Sequence, residues 1–312
     1  MRRRLGDAAA TRASRTGLTS GNSICTAFAE QTGLGPIADF VRTQWQRPIT
    51  ERFEDVRVPN SAYHAEKDLV WANNHTRFNA LGPVLQCPNA ILRSYAIGDQ
   101  KKKVCGKTQH VSNDCVIISI GSRNQYFFEA AFLDAHPTCV AHTFDCTITV
   151  DTRRIPPAHK SRIHVHKICL GPRDDEGSNA TGGKRFMTWP SLVAHIGLTA
   201  SPTVLKMDIE GFEWSVLSTL ASPSTPFLPD TLSMELHWKT QFPELSWYGR
   251  NRDGNELAAF IDYLFSRGGY VLVDRNDNRK CPHCSEIVLA RLACRGCCAW
   301  GADSAVGAML PG

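Results

Sequence analysis

Short apolar segments alternate with amphipathic segments from position 115 to position 292, and this alternation most constrains the fold. Val116–Ile120 is almost continuously apolar and ends at Gly121, as expected for a strand buried on both faces. Further strands are predicted at 139–144, 164–170, 204–207 and 231–237. Helical spacing of apolar residues predicts helices at 128–135, 189–198, 213–220 and 257–265. Strands that alternate with helices predict a parallel sheet covered on both sides.

The two ends of the chain lack this alternation, which suggests a division into four parts. Residues 1–24 are predicted to be a disordered basic tail. Residues 25–110 are predicted to be a helical and irregular extension, with a helix near 36–45. Residues 111–293 form the α/β domain, and 294–312 a cysteine-containing tail. Within this domain 270–273 and 286–292 predict two last strands, joined closely enough for an antiparallel hairpin. The run Lys101–Lys103 is typical of a solvated loop, although it could also attract an anionic substrate.

Charge and hydropathy narrow the possible partners. The formal net charge of +5 over 312 residues is small, so the composition does not indicate a nucleic-acid-binding protein. No run of about 18 apolar residues predicts a membrane span. Twelve cysteines are compatible with disulfides, metal ligands or free thiols, so the sequence leaves the compartment open.

Two residues at the ends of the first and second predicted strands suggest a nucleotide-type cofactor. Gly121, followed by Ser122, allows a tight turn beside a ligand, although the dinucleotide pattern G-x-G-x-x-G is absent. Asp145 ends the next strand 24 residues later, where an acidic residue can accept hydrogen bonds from ribose hydroxyls. Each residue could also be an ordinary turn residue or helix cap. Their order on successive strands favours a cofactor crevice.

The fourth predicted strand runs into Asp208, Glu210 and Glu213, three carboxylates within six residues. Glu210 and Glu213 could simply begin a helix, whose dipole favours acidic residues, but this does not explain Asp208. Glu235 and His237, two positions apart on the fifth strand, lie on one face of it. If the fourth and fifth strands are neighbours, Asp208, Glu235 and His237 form a cluster at the edge of the sheet.

The segment 204–214, VLKMDIEGFEW, resembles the "lKiDvEGaEw" signature of FkbM-type S-adenosylmethionine-dependent methyltransferases. More closely, the chain is similar to the methyltransferase-like branch of that superfamily. The segments GDQKKKVC at 98–105, 115–129, Glu235–His237 and CSEI at 284–287 resemble motifs of that branch in the same order. The resemblance covers roughly residues 85–292.

This resemblance implies a class I methyltransferase fold, a Rossmann-like seven-stranded sheet that is mostly parallel with an antiparallel last strand. It implies S-adenosylmethionine as cofactor, bound by Gly121, Ser122, Asp145 and Asp208. The expected reaction is O-methylation of a small-molecule or glycan hydroxyl, with catalytic candidates Asp208, His237 and Glu210. Asp208 or His237 is the expected base. Alternatively Asp208, Glu235 and His237 could hold a divalent metal ion.

Two rival interpretations remain open. The cysteines of two C-x-x-C pairs could bind zinc and make the chain a zinc-ribbon binding protein; these are Cys281, Cys284, Cys294 and Cys297. Nine residues separate the two pairs, fewer than in common zinc ribbons. The other rival is a methyltransferase-like fold without catalytic activity, because a fold does not guarantee a function.

Overall fold

The computed structural model describes residues 91–106, 115–220, 227–237, 270–277 and 284–291, together with positions 83, 86, 87, 89, 225 and 264. The tail predicted at 1–24, the helices predicted near 36–45 and 257–265, and Cys281, Cys294 and Cys297 lie outside these residues, apart from Leu264, which is helical and buried. No helix within the described ranges combines the length and apolar character that crossing a bilayer requires.

A seven-stranded sheet forms the centre of the domain. Its strands in chain order are β3 (Val116–Ile120), β4 (Val140–Phe144), β5 (Ile163–His166), β9 (Val204–Met207), β10 (Thr231–His237), β11 (Tyr270–Asp277) and β12 (Cys284–Arg291). Their spatial order is β11-β12-β10-β9-β3-β4-β5. The pairs from β10 to β5 are parallel, whereas β12 is antiparallel to both β10 and β11.

This topology confirms the predicted fold class. The strand that is last in sequence is the antiparallel one, and it lies between β10 and β11 rather than at the edge. The predicted antiparallel hairpin is also present as β11 and β12. The strand order reverses at β3, because β4 lies on one side of it and β9 on the other. Ligands of open α/β sheets bind beyond the strand ends at such a point.

Three helices cover the sheet within the described residues: α1 (Phe127–Ala135), α2 (Trp189–His195) and α3 (Glu213–Leu220). Phe128 and Phe132 of α1 are buried against Ile117 on one face of the sheet. Trp189 of α2 and Leu217 of α3 belong to the larger apolar cluster, which covers the opposite face of the sheet. Thr188 accepts a hydrogen bond from Ser191 N and thus caps α2.

An antiparallel hairpin of β1 (Leu92–Tyr95) and β2 (Lys102–Cys105) precedes the sheet. A disulfide joins Cys105 to Cys87, and Cys87 N donates to Val273 O of β11 at 2.9 Å. A second hydrogen bond, of 2.8 Å from Thr231 Oγ1 to Cys105 O, connects β2 directly to β10. The prediction of a solvated loop at Lys101–Lys103 is therefore wrong. Lys102 begins β2 and its side chain is fully buried, because carboxylates of the main sheet surround its ammonium group.

The segment 174–184, which is rich in glycine, serine and charged residues, contributes to a second, smaller sheet. A small three-stranded sheet of order β6-β8-β7 comprises β6 (Cys169–Leu170), β7 (Asp175–Glu176) and β8 (Arg185–Met187). Asp175 accepts hydrogen bonds from Gly177 N and Ser178 N. These bonds order the turn, an arrangement that charge and glycine content alone do not reveal.

Every cysteine among the described residues is in a disulfide. Besides Cys87–Cys105, one bond joins Cys115 to Cys139 and another joins Cys146 to Cys169. Of the three possibilities that the sequence left open, these cysteines therefore form disulfides rather than metal ligands or free thiols. Disulfides persist in oxidising compartments.

Candidate functional site

Two turns meet at the carboxyl ends of the central strands β3 and β9. Gly121 follows β3 with a φ of +80°, and a Cβ atom there would lie 1.9 Å from the carbonyl oxygen of Asp208. Asp208 N donates to Ile120 O at 3.1 Å, so the two turns are also hydrogen-bonded. The sequence suggested glycine for a tight turn beside a ligand, and the structure adds a second reason. Only glycine permits this close contact between the turns.

Asp145 lies at the end of β4, beside the Gly121 turn, and its carboxylate is nearly buried. Its Oδ2 accepts a hydrogen bond from Arg123 N at 2.8 Å, while Oδ1 accepts from the backbone and hydroxyl of Thr147. A carboxylate has about four acceptor positions, so these three bonds leave room for one more donor. The geometry fits one ribose hydroxyl, whereas a second would need Arg123 or Thr147 to shift.

The turn itself has an unusual backbone. Arg123 and Asn124 both have positive φ, at 51° and 57°. Asn124 stabilises this conformation by donating to Thr149 O at 2.8 Å and accepting from Asp151 N at 2.9 Å. Ser122 is fully buried as a whole residue, so neither its backbone nor its hydroxyl reaches the surface of the crevice, where the sequence had predicted a cofactor contact. An open cavity of about 530 Å³ borders the turn and is lined by Asn124 and residues 149–154.

Lys102 is the cation at the centre of a cluster of carboxylates. Its Nζ lies 3.3 Å from Asp208 Oδ2 and 2.5 Å from Glu286 Oε1. Burial alone would lower the pKa of Lys102, but Asp208 and Glu286 raise it to about 12. The same contact lowers the pKa of Asp208 against the opposing effect of burial. Lys102 is therefore charged and paired with an ionised Asp208.

His237, at the end of β10, is held between two glutamates. Its Nδ1 lies 3.1 Å from Glu213 Oε1, and its Nε2 lies 3.3 Å from Glu210 Oε2. Burial would lower the pKa of His237, but Glu213 and the nearby carboxylates raise it to about 9. The Glu213 carboxylate is held in place by hydrogen bonds that it accepts from Ile209 N and Gly211 N. His237 is consequently an imidazolium at neutral pH.

Glu210 differs from the other carboxylates of this cluster. Its side chain is 35% exposed, against 17% for Asp208 and 0% for Glu213. Burial, with Asp208 and other carboxylates nearby, raises the pKa of Glu210 although His237 opposes the shift. Its backbone has a φ of 58°, a strained value for a residue with a side chain. Strain of this kind is concentrated at functional sites.

A second buried cation lies beneath the Gly121 turn. Lys206 of β9 donates to Gly121 O at 2.6 Å, and burial lowers its pKa. Glu129 of α1 is nearby and fully buried, and desolvation raises its pKa although Lys206 opposes the shift. This pair connects α1 and β9 under the crevice. The sequence analysis did not select either residue.

The predicted metal ligands Asp208, Glu235 and His237 do not form one group in the structure; two different groups share His237. Asp208, Glu210 and His237 form one group of potential ligands, and Glu235, His237 and Cys284 form another. A divalent ion would have to displace a proton from His237, whose pKa is about 9, and to compete with Lys102 for Asp208. Cys284 is disulfide-bonded, which argues against the predicted thiolate ligand of zinc.

Comparisons with known proteins place this geometry in a family. A family model described as "Methyltransferase domain" matches residues 27–289. Fibrillarin, a pre-rRNA processing protein of Methanococcus jannaschii, aligns at 11% identity with a TM-score of 0.37 over 58% of this chain and 67% of its own. An O-methyltransferase family protein from Burkholderia thailandensis aligns at 12% identity and a TM-score of 0.33, over 59% and 54%.

The pyocyanin biosynthetic protein PhzM aligns at 13% identity with a TM-score of 0.32, over 59% of this chain and 52% of PhzM. The alignments with PhzM and the Burkholderia protein span about half of those proteins. A search of curated proteins gave no significant match. The family model covers most of the sequence. The chain therefore belongs to the methyltransferase domain family, whose members are S-adenosylmethionine-dependent methyltransferases.

Proposed function

We propose that this protein is an O-methyltransferase of the FkbM-type, methyltransferase-like branch, acting on a hydroxyl group of a small molecule or glycan. The observation that carries the proposal is Glu210, a partly exposed carboxylate with a raised pKa at the end of the strand beside the Gly121 turn. An oxygen acceptor must lose its proton during transfer. A carboxylate with a raised pKa is a suitable base.

On the donor side, S-adenosylmethionine supplies an electrophilic methyl group when bound. Gly121 would line its site, and Asp145 would accept a ribose hydroxyl at its remaining acceptor position. Asp208, whose backbone contacts Gly121, would border the same crevice. Much of the rate enhancement would come from holding donor and acceptor in line.

On the acceptor side, we assign the proton-accepting role to Glu210. Asp208 was an expected base, but its ion pair with Lys102 lowers its pKa and makes it weaker. His237 was the other, but an imidazolium has no lone pair to accept a proton. His237 instead positions the Glu210 carboxylate, 3.3 Å away. The proton would move from the acceptor hydroxyl to a Glu210 carboxylate oxygen.

The same charges support a mechanism without a divalent metal ion. Lys102 and His237 already neutralise the carboxylates that would bind one. Methyl transfer should therefore persist after treatment with EDTA. Loss of activity in EDTA that Mg²⁺ restores would favour the metal-dependent alternative.

Calorimetry tests the donor site. We expect S-adenosylhomocysteine to bind the wild type and to bind Asp145→Asn at least tenfold more weakly, since the variant loses an ionised acceptor. Asp175→Asn is the matched control, because Asp175 makes similar turn hydrogen bonds in the remote small sheet. Absence of binding by the folded wild type would instead favour a methyltransferase-like fold without activity.

Transfer of labelled methyl groups to a panel of hydroxylated small molecules and glycans tests the acceptor site. With an acceptor found, Glu210→Gln should lower kcat by about 100-fold, the usual contribution of a general base, while leaving S-adenosylhomocysteine binding unchanged. Transfer to nitrogen or carbon acceptors alone would contradict O-methylation. An unchanged kcat would contradict the role of Glu210.

A further inference from the structure

Four histidines lie together on the outer edge of the main sheet, away from the residues discussed above. His142 of β4 is paired directly with His164 of β5, and His166 follows two positions later on the same face. His195 at the end of α2 contributes a fourth ring, whose centroid lies 5.4 Å from that of His166.

In two of these side chains, the distance between ring nitrogens is close to that between two ligands of one metal ion. His142 Nδ1 lies 3.1 Å from His166 Nε2. Two nitrogens bound tetrahedrally to zinc at about 2.0–2.1 Å would be separated by about 3.3 Å. Two neutral imidazoles sharing one hydrogen bond would give the same distance, so the other two rings matter.

His164 and His195 are exposed, so each would turn toward this pair from a solvent-facing position. The His164 ring lies alongside His142, with ring centroids 5.0 Å apart and planes tilted by 31°. A rotation about its side-chain bonds would turn a nitrogen toward the same point. Only the side chain needs to move, because strand pairing fixes the backbone positions of His142, His164 and His166.

The chemistry of this group suits a transition metal. Imidazole nitrogens favour Zn²⁺, Cu²⁺ and Ni²⁺ over Mg²⁺ or Ca²⁺. The nearby cysteines, Cys146 and Cys169, are joined in a disulfide and offer no thiolate.

We propose that His142, His164 and His166 bind one divalent transition-metal ion of the zinc class, with His195 as the fourth ligand. The ion would tie the edge strand β5 and the end of α2 to β4. It would lie on the face opposite Asp145, because consecutive residues of β4 alternate between faces. Its role would be structural, since four protein ligands close a zinc site.

Metal binding to the untagged, disulfide-intact full chain tests this proposal. After EDTA treatment and buffer exchange, calorimetry with ZnCl₂ should give one site per chain. His164→Ala and His166→Ala should each weaken binding by about 100-fold or more, since loss of even an indirect contact costs 10- to 100-fold. His159→Gln is the control, because His159 pairs with Asp134 outside the cluster and its loss should not change the affinity.

Co²⁺ spectroscopy separates this site from any cysteine site. Tetrahedral coordination by histidines should give visible bands without the near-ultraviolet charge-transfer band of thiolate ligands. Three results would each overturn the proposal: no saturable Zn²⁺ binding by the wild type, wild-type affinity in His164→Ala and His166→Ala, or a thiolate charge-transfer band.

Discussion

The ammonium nitrogen of Lys102 lies 3.3 Å from Oδ2 of Asp208, although the two residues are 106 positions apart. The hairpin of β1 and β2 thereby places a buried charge beneath the turn that carries the candidate catalytic carboxylates. Removing one partner of a buried ion pair is costly, because the other charge remains without compensation. This contact makes the segment before the sheet part of the site.

Lys102→Met should lower the free energy of unfolding by about 3–5 kcal/mol. Asp208 and Glu286 would then face each other without the cation between them. Urea unfolding of the disulfide-intact protein measures the effect, and Lys102→Met/Glu286→Gln should recover part of the loss. Lys103→Met is the control, because its pair with Asp274 is partly exposed and should cost no more than about 1 kcal/mol. Equal losses for the two single variants would contradict the burial of Lys102.

The position of Lys102 also shows what the sequence could and could not predict. Apolar runs and helical spacing predicted β3, β9, β10 and α3 with the bounds that the structure has, because burial on both sides of a sheet leaves a local pattern. The turns at Gly121 and Asp208 were predicted because each directly follows such a strand. Lys102 lies in a run of three lysines, and the pattern of such a run is that of a solvated surface.

Contacts between segments that are distant in the sequence explain why other residues of the site were not predicted. Glu286 and Glu213 acquire their roles only when β12 pairs with β10 and α3 begins beside His237. The charge state of His237 depends on those same partners, so its protonation could not be inferred from its ordinary pKa. Glu286 lies within the CSEI segment that supported the family resemblance, and this was its one signal in the sequence.

The imidazolium of His237 should make stability depend on pH. Its folded-state pKa is about 9, above the ordinary 6.5, so its stabilising effect is complete below pH 6.5 and is lost as the pH rises through 9. The free energy of unfolding should fall by on the order of 3 kcal/mol across this window. Urea titrations from pH 6 to pH 10 measure it.

His237→Gln isolates this contribution from the other groups that titrate in the same range. Glutamine can still donate to Glu213 but does not ionise, so the variant should have a flatter pH profile above 6.5 than the wild type. Parallel profiles for the two proteins would show that His237 is not protonated between its glutamates.

The disulfide between Cys87 and Cys105 should hold the hairpin on the sheet. Cys87→Ser/Cys105→Ser should lower the free energy of unfolding by about 2–4 kcal/mol. Hydrogen exchange of residues 102–105 should also accelerate, because β2 loses its covalent link to Cys87, whose backbone is hydrogen-bonded to Val273 of β11. Cys146→Ser/Cys169→Ser is the control, since that bond joins the segment after β4 to β6 and should leave exchange in β2 unchanged. Equal acceleration in both variants would contradict a local role.

The contact between Gly121 and Asp208 gives the sharpest test of the crevice. Gly121→Ala adds a Cβ atom that would lie 1.9 Å from Asp208 O, at a φ of +80°. One turn must move, so we expect a loss of about 3 kcal/mol or more in the free energy of unfolding, with weakened S-adenosylhomocysteine binding.

Gly197→Ala separates the clash from backbone strain. Gly197 also has a positive φ, of +64°, but a Cβ atom there would meet nothing within 4 Å. This variant should lose only the roughly 1 kcal/mol that a left-handed conformation costs a residue with a side chain, and should bind S-adenosylhomocysteine as the wild type does. If the two alanine variants lose equal stability, the Gly121 turn and the Asp208 turn are not in contact. The crevice that both turns are proposed to line would then lack its structural basis.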